Sequence, residues 1–260
     1  MKKYKPLVTF VIPSYNHIKY VEKSIKSVCE QTYENLEVIV IDDGSTDRSH
    51  ELITKLQQKY GFIYAHRPNK GLIKTLNEAL EIAKGEYFCW GGSDDIFLKD
   101  KVEKQVEFFE TNPDFVLCYG RMVFIDENGN IIKEAKTKYN KSGYIFDQLM
   151  YRCFITLPTV MVKTDILKEF GFDSNYFLED YPLWLKIAKK YKIGFLDEQL
   201  TYYRLHGSNV SNNLDKMVIE VNRILDLWQN EHIYQKAISY WYYRWFCDLS
   251  KHNNLILTKI

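Results

Sequence analysis

A pair of adjacent carboxylates near the end of a predicted strand is the first feature of the sequence suited to chemistry. Asp94 and Asp95 follow the apolar run Tyr87–Trp90, with two glycines and a serine between. Carboxylates with open coordination positions suit Mg²⁺ or Mn²⁺ that also binds substrate phosphates. The alternative is a helix-capping turn, because Asp is common in turns. On its own, the pair does not distinguish a metal site from a turn, and the other motifs are needed to decide.

A second acidic group, Asp42 and Asp43, follows the predicted strand 36–41 and opens a helical pattern. Carboxylates at that position can accept the N–H of a nucleobase or the hydroxyls of a ribose. The alternative is again capping, with Ser45 or Asp47 as the capping residue. The residues alone leave both interpretations open.

Two further groups carry reactive side chains. Glu179 and Asp180 stand at the start of a predicted helix, where a carboxylate can act as a general base towards a hydroxyl or can simply be the N-cap. Arg204 and His206 are two residues apart in an extended segment, so they share one side of it. That pair could contact a diphosphate or a metal, or it could be an ordinary exposed pair.

The elements that must position these groups alternate in the first ninety residues. Apolar, β-branched runs predict strands at 7–12, 36–41, 62–65 and 87–90, and helical spacing lies between them, at 21–28, 52–56 and 72–83. Such runs are typical of strands buried on both faces of a sheet, and Gly85 stands where a helix C-cap is expected. The alternation predicts an α/β fold of βαβ units, in which ligands bind beyond the carboxyl ends of the strands.

The second half of the chain is mixed. The patterns predict a helix at 102–109, strands at 115–125, 159–162, 193–196 and 200–203, a hairpin turn at 126–129, a helix at 181–191 and helices from 212 onward. Asp180 stands near the N-cap of the helix at 181–191, and Pro182 falls in its first turn, where proline is tolerated.

The composition excludes several classes of protein. Hydrophobic residues make up 46% of the 260 residues, which is too many for a disordered chain. The net charge of +1 provides no basic field, so we expect no nucleic-acid partner. The five cysteines are scattered, and no apolar stretch is long enough for a signal-peptide core or a membrane span. We therefore expect a cytoplasmic protein with reduced thiols.

Taken in order, the motifs resemble family 2 glycosyltransferases of the GT-A fold. The resemblance covers residues 7–211 and is carried by VTFVIPSYN at 8–16, SVCEQTY at 27–33, EVIVIDDGSTD at 37–47, NKG at 69–71, NEA at 77–79, SDD at 93–95, EDY at 179–181 with LW at 183–184, and YRLHGS at 203–208. It implies a GT-A domain over 1–211, with a Rossmann-like nucleotide-binding half and a mixed sheet, and a C-terminal helical extension over 212–260.

The resemblance also implies roles for the reactive residues. The residues that bind the donor would be Pro13, Tyr15, Asp42, Asp43, Asp94 and Arg204. The ligands of Mn²⁺ or Mg²⁺ would be Asp95, Asp94 and His206. The base would be Asp180, with Glu179 as its neighbour or substitute. Two positions depart from the family pattern. Gly92 stands where the family often has a polar or acidic residue, and Pro182 stands where it often has Asp.

The function implied by the resemblance is inverting, metal-dependent transfer of a hexosyl group from a nucleotide-sugar, with UDP-sugars as the commonest donors. A lipid-linked saccharide in O-antigen or capsule assembly is the implied acceptor. A nucleotidyltransferase is an alternative, but it needs a Gly-rich basic loop, which residues 13–16 do not provide. An inactive carbohydrate-binding or scaffold domain is another alternative, although it predicts broken acidic motifs.

An aromatic cluster near the C-terminus lies outside every motif. Residues 240–246 read YWYYRWF and are accompanied by basic residues. Such a helix could pack on the catalytic domain, form a homodimer or lie on the inner face of the cell membrane. We expect packing or a dimer contact, because aromatic residues dominate protein cores and interfaces.

Overall fold

Strands and helices alternate through the first hundred residues and become mixed after that. The structure is a computed structural model that describes residues 4–207, 209 and 213–252. Its strands are β1 (Val8–Ser14), β2 (Leu36–Asp42), β3 (Ile63–His66), β4 (Tyr87–Trp90), β5 (Ile96–Phe97), β6 (Phe115–Ile125), β7 (Ile131–Glu134), β8 (Met161–Lys163) and β9 (Lys192–Arg204). Its helices are α1 (Val21–Cys29), α2 (Ser49–Tyr60), α3 (Leu72–Ile82), α4 (Lys101–Thr111), α5 (Phe146–Tyr151), α6 (Thr164–Phe170), α7 (Tyr181–Lys190), α8 (Leu214–Asp226) and α9 (Tyr234–His252), with a 3₁₀ turn at Leu157–Thr159.

The strands form one mixed sheet in the order β3-β2-β1-β4-β8-β6-β9-β5, with β7 paired to β6. Strands β1 to β4 are parallel, whereas β8 runs antiparallel to both β4 and β6. In the register of β1 and β2, Ser14 lies beside Asp42. The predicted mixed α/β sheet is therefore confirmed, and the acidic group at Asp42 lies at the carboxyl edge of the parallel half.

The two faces of the sheet bury separate hydrophobic clusters. Along β1, Val11 belongs to one cluster, while Phe10 and Ile12 belong to the other, as alternation along a strand requires. One cluster lies under α3 and the helices from α5 to α9, and the other lies under α1, α2 and α4. Each fully buried aliphatic side chain contributes about 1.5–3 kcal/mol, so this double core holds the sheet edge in place.

Three sequence expectations are wrong in detail. Strand β3 is largely exposed, with Ile63 at 41%, because it is an edge strand that pairs only with β2. The C-cap of α3 is Ala83, and Gly85 is instead required because a Cβ there would overlap the backbone of Thr9. The two strands expected after residue 192 form one strand, β9, because β6 is long enough to pair with it throughout.

Four short elements are not predicted by the sequence patterns. Strands β5 and β7 and helices α5 and α6 have two to seven residues, too few for periodicity to register. Thr159 lies in the 3₁₀ turn, and the strand predicted at 159–162 begins at Met161.

Helices α8 and α9 pack on the rest of the protein. Asn213 caps α8 by accepting a hydrogen bond from the Lys216 amide at 3.1 Å. On α9, Trp241 and Trp245 are buried, and Trp241 Nε1 donates to the Met150 carbonyl of α5 at 2.8 Å. This face of α9 packs on the rest of the protein. Ser208 and the proposed boundary at 211/212 lie outside the described residues, and the two-domain division stays a prediction.

Candidate active site

Asp43 organises the loop that follows β3. The carboxylate is 4% exposed, its Oδ1 accepts from the Lys70 amide at 2.8 Å, and its Oδ2 accepts from the Gly71 amide at 2.8 Å. The Arg67 guanidinium completes an ion pair with it. Asp43 thus fixes the loop at 67–71 against the end of β2, and its role in the nucleoside pocket stays a prediction.

Asp47, further along the same segment, anchors the start of α2. Its Oδ1 accepts from the Ser49 amide at 3.1 Å, and its Oδ2 accepts from the Ile18 amide at 2.9 Å. Burial would raise the pKa of Asp47, but these bonds outweigh it and lower the pKa. Neither residue proposed as a cap is the N-cap of α2: that position is Arg48, without a side-chain capping bond, and Ser45 accepts from the Asn16 amide at 2.8 Å.

Pro13 and Tyr15 lie at the end of β1, next to this segment. Pro13 pairs in register with Ile41 of β2. Tyr15 follows the strand with its side chain 47% exposed, which leaves the ring accessible for stacking. Their positions agree with the predicted nucleoside pocket, and that role stays a prediction.

Two histidines and one aspartate converge beyond β4. His206 Nε2 lies 2.8 Å from Asp94 Oδ2, although 112 residues separate them. His17, Asp94 and His206 each offer a ligand atom, and these atoms all lie within 4.8 Å of one another. His17 Nδ1 also contacts Ser93 Oγ at 2.8 Å. A carboxylate and two imidazoles in this arrangement can hold a divalent ion.

Protonation in this cluster suits a metal ion. Burial would raise the pKa of Asp94, but the hydrogen bond from His206 and the nearby charge of His17 lower it. Burial lowers the pKa of His17 and outweighs the attraction of Asp94. Asp94 is consequently ionised and His17 neutral at neutral pH, and those are the forms that bind metal ions.

His17 is the residue that sequence reasoning missed. The six histidines show no regular metal-ligand spacing, so the sequence patterns leave His17 unassigned. The available signal was its place just after the carboxyl end of β1. Asn16 turns the chain there with a positive φ of 54°, and its Oδ1 accepts from the Thr46 amide at 2.8 Å. This turn directs His17 into the same site as Asp94.

Asp95 is not among the residues that form the histidine cluster in the described part of the chain. It is 3% exposed, and its Oδ1 accepts from the Arg204 amide at 3.0 Å. Burial, followed by the charge of Asp94, raises its pKa well above the ordinary value. Asp95 therefore joins the loop after β4 to the end of β9. The role of Asp95 as a metal ligand stays a prediction, and the cluster among the described residues contains Asp94 instead.

Arg204 is buried, and its guanidinium donates hydrogen bonds to backbone carbonyls. Its Nε donates to the Asp94 carbonyl at 2.8 Å, and its Nη1 donates to the carbonyls of Asp126 and Glu127 at 2.9 and 3.1 Å. The guanidinium also lies over the ring of Tyr20 at 4.9 Å. Arg204 thus positions Asp94 by fixing its backbone, and the predicted contact with a diphosphate stays untested.

A cavity of about 370 Å³ opens on this cluster. Its lining includes His17 and Tyr20 from the start of the chain, Glu127 from the β6–β7 turn and His206 after β9. The cavity joins segments that are distant in sequence and gives the histidine cluster access to a ligand.

Glu179 and Asp180 precede α7, as the sequence predicts. Asp180 Oδ1 accepts from the Tyr181 amide at 2.6 Å, so Asp180 is the N-cap. Burial raises the pKa of Asp180 to about 6. Burial and the charge of Asp180 raise the pKa of Glu179 to about 8. At neutral pH the pair divides into an ionised Asp180 and a protonated Glu179, and only Asp180 can accept a proton.

Helix α7, which this pair precedes, packs against β4. Trp90 ends β4, Trp184 lies in the first turn of α7, and their ring centroids are 5.6 Å apart. The loop before Asp180 is held from the other side by α8, where Glu220 accepts from the Phe177 amide at 2.5 Å. The two acidic motifs are therefore attached to one rigid core.

Comparison with known proteins agrees with this arrangement. The model of the family described as "Glycosyl transferase family 2" matches residues 9–170. A protein of Methanocaldococcus jannaschii described as "Uncharacterized glycosyltransferase MJ1057" is 33% identical over 246 residues, which are 91% of this chain and 84% of that protein. A Rickettsia felis protein described as "Uncharacterized glycosyltransferase" is 36% identical over 201 residues, which are 77% of this chain but only 33% of that protein.

Solved structures show the same fold. The mannosyltransferase PcManGT from Pyrobaculum calidifontis, in complex with GDP-Man and Mn²⁺, has a TM-score of 0.68 at 16% identity, over 91% of this chain and 69% of its own. S. aureus TarS 1–349 in complex with UDP has a TM-score of 0.64 at 22% identity, over 84% of this chain and 65% of its own. These likenesses show the predicted GT-A fold. With the family match, they establish that the chain belongs to glycosyltransferase family 2.

Proposed function

We propose that this protein is an inverting, metal-dependent hexosyltransferase that moves a sugar from a UDP-sugar to a saccharide hydroxyl. The observation that carries the proposal is the convergence of His17, Asp94 and His206 within 4.8 Å at the carboxyl edge of the sheet. That is the edge at which open α/β sheets bind ligands. Solved relatives of the same fold were captured with UDP, UDP-GlcNAc or GDP-Man, which supports a nucleotide-sugar donor.

The donor set fits Mn²⁺ better than Mg²⁺. Mg²⁺ prefers a shell of oxygen ligands, whereas His17 and His206 supply two imidazole nitrogens. An ion held by these residues would stabilise the charge of the departing nucleoside diphosphate. The chain's own contribution is twofold. The hydrogen bond from His206 and the charge of His17 lower the pKa of Asp94, and Arg204 holds Asp94 in place through its carbonyl.

In the transfer we assign the base to Asp180. Its carboxylate takes the proton of the acceptor hydroxyl while the acceptor oxygen forms a bond to the anomeric carbon. The bond from that carbon to the diphosphate breaks, and its electron pair leaves with the nucleoside diphosphate. Attack opposite the leaving group inverts the anomeric centre. A pKa of about 6 leaves Asp180 ionised at neutral pH but still basic enough to take the proton of the acceptor hydroxyl.

A donor screen tests this proposal. The full chain is incubated with UDP-sugars and GDP-mannose in Mn²⁺, with and without a panel of saccharide acceptors, and the released nucleoside diphosphate is measured. We expect UDP release from a UDP-sugar that depends on Mn²⁺ and increases with acceptor. Release that is unaffected by a chelator would overturn the metal dependence, and release only from GDP-mannose would overturn the choice of donor.

For the acceptor we propose a lipid-linked saccharide of O-antigen or capsule assembly at the cytoplasmic face of the membrane. None of the helices described here is long and apolar enough to cross a membrane. Helix α9 supports a peripheral contact instead, because Tyr242, Tyr243 and Phe246 are 55–71% exposed beside its buried tryptophans.

Vesicle binding tests the peripheral contact. A Tyr243→Ser, Phe246→Ser double variant should lose sedimentation with anionic vesicles. The control is Ile219→Ser, an equally exposed apolar residue on α8. Sedimentation that is equal in all three proteins, or a loss of dimerisation in place of vesicle binding, would overturn the membrane assignment.

A further inference from the structure

A second cluster of metal-ligating side chains lies at the ends of β2 and β3, apart from the cluster of His17, Asp94 and His206. Asp42, His50 and His66 each offer one ligand atom, and these atoms lie within 4.8 Å of one another. Asp42 and His66 are paired in register on neighbouring parallel strands, and His50 lies in the first turn of α2. Three separate elements therefore meet at this point.

Asp42 is the buried member of the cluster, with 0% of its surface exposed. Its Oδ1 accepts from the Ser45 amide at 2.8 Å. Its Oδ2 is buried and makes no hydrogen bond to any residue that the structure describes. His66 Nδ1 lies 3.5 Å from that oxygen. A buried carboxylate oxygen without a donor is costly, and a cation placed between it and the imidazole would remove that cost.

The two histidine rings of the cluster lie against each other. The rings of His50 and His66 stack with centroids 4.0 Å apart and an interplanar angle of 24°. His50 Nδ1 is engaged with the Tyr64 hydroxyl at 2.8 Å, which leaves Nε2 for another partner. Metal-binding histidines typically use their second nitrogen in this way, which fixes the ring and its tautomer.

We propose that Asp42, His50 and His66 form a binding site for a zinc-class divalent ion. Two imidazole nitrogens and one carboxylate oxygen are the three-ligand set that Zn²⁺ accepts, with water in the remaining position. The His66 side chain is 37% exposed, so an ion and its water have a path from solvent. A bound ion would tie β2, β3 and α2 together directly behind Asp43.

This site shares Asp42 with the predicted donor pocket, so its ion binding is tested without any sugar nucleotide. The cluster of His17, Asp94 and His206 contains the same ligand types, so it must be removed before the second site is measured. The background is therefore the full chain with Asp94→Asn and His206→Gln. Co²⁺ serves as the spectroscopic probe and Zn²⁺ as its competitor.

We expect the background protein to bind one equivalent of Co²⁺, with the visible absorption of a four- or five-coordinate ion that Zn²⁺ removes. Adding His66→Gln should abolish this absorption. Adding His232→Gln is the matched control and should change nothing, because His232 is exposed and lies beside Asp147. Failure of the background protein to bind Co²⁺, or binding that survives His66→Gln, would overturn the proposal.

Two further measurements keep the result decisive if a variant folds poorly. The wild-type chain should bind two equivalents of Co²⁺, and His66→Gln alone should bind one. Tyr64→Phe keeps all three ligands but removes the hydroxyl that orients His50, so the affinity of the second site should fall by about 10–100-fold. An unchanged affinity in Tyr64→Phe together with equal stoichiometry in His66→Gln would show that Asp42 and His66 form only an ion pair.

Discussion

Gly92 and Asp94 compete for the same space. A Cβ placed on Gly92 would overlap Asp94 Oδ1, so the Asp94 carboxylate occupies volume that any other residue at 92 would need. Gly92 is also a position at which the sequence departs from the family pattern. The departure thus has a structural counterpart, since the missing side chain allows Asp94 to turn towards His206.

Replacing Gly92 with alanine should displace Asp94 from His206. We expect Gly92→Ala to weaken Mn²⁺ binding by about 10-fold or more, as disturbing the groups that orient a ligand commonly does. Calorimetric titration with Mn²⁺ measures this. Gly207→Ala is the control, because a Cβ there meets no atom within 4 Å. Equal Mn²⁺ affinity in both variants would contradict the argument.

Removing a histidine from the cluster should raise the concentration of Mn²⁺ needed for activity. His17→Gln and His206→Gln each delete one imidazole ligand, and we expect the half-saturating Mn²⁺ to rise by about 10–100-fold. His232→Gln, which alters an exposed histidine, should leave it unchanged. If His17→Gln behaves like His232→Gln in a Mn²⁺ titration of nucleoside diphosphate release, His17 is not a ligand.

Removing the base should nearly abolish turnover without weakening donor binding. Asp180→Asn keeps the shape of the N-cap but cannot accept the proton, so kcat should fall by about 10²–10⁴-fold. Donor affinity, measured by calorimetry, should change little. Glu179→Gln is the matched control and should cost far less, because Glu179 is already protonated at neutral pH. A normal rate in Asp180→Asn would remove Asp180 from the mechanism.

The pH dependence of the rate follows from Asp180. Its pKa of about 6 means that the carboxylate is protonated below that pH and cannot serve as a base. We expect kcat at saturating donor to rise with pH and to level off above an apparent pKa near 6. A profile already flat from pH 5 upward in the wild-type chain would place the base elsewhere.

The free energy of unfolding should fall as pH rises because of Glu179, whereas kcat should rise with pH because of Asp180. Burial and the charge of Asp180 raise the folded-state pKa of Glu179 to about 8, whereas the unfolded chain ionises near the ordinary glutamate value of about 4.3, so the free energy of unfolding falls as pH rises between these two values. Glu179→Gln cannot ionise and should be more stable than wild type at pH 9 by about 1–2 kcal/mol, a value discounted because the side chain is only half-buried. Urea unfolding at pH 6 and pH 9 measures the difference. A gap that does not widen at pH 9 would contradict the raised pKa.

Local pattern was sufficient for much of the fold. Strand β4 and strand β6 lie where the apolar runs predict them, and Asp180 caps α7 as its position indicates. Long periodic segments and capping residues act through neighbours in sequence, so they can be inferred without the tertiary structure. Edge strands such as β3 cannot be distinguished in this way, because exposure depends on which strands lie beside them.

The sequence by itself determined the family, the order of the acidic motifs and the carboxyl edge of the sheet as their location. Only the tertiary structure decided that Asp94 faces His206, that Asp95 bonds the Arg204 amide and that His17 joins the cluster. The physical reason is that these contacts connect residues up to 189 positions apart (206 − 17). Their geometry is set by sheet register and by the packing of buried side chains, and no local pattern in the sequence carries that information.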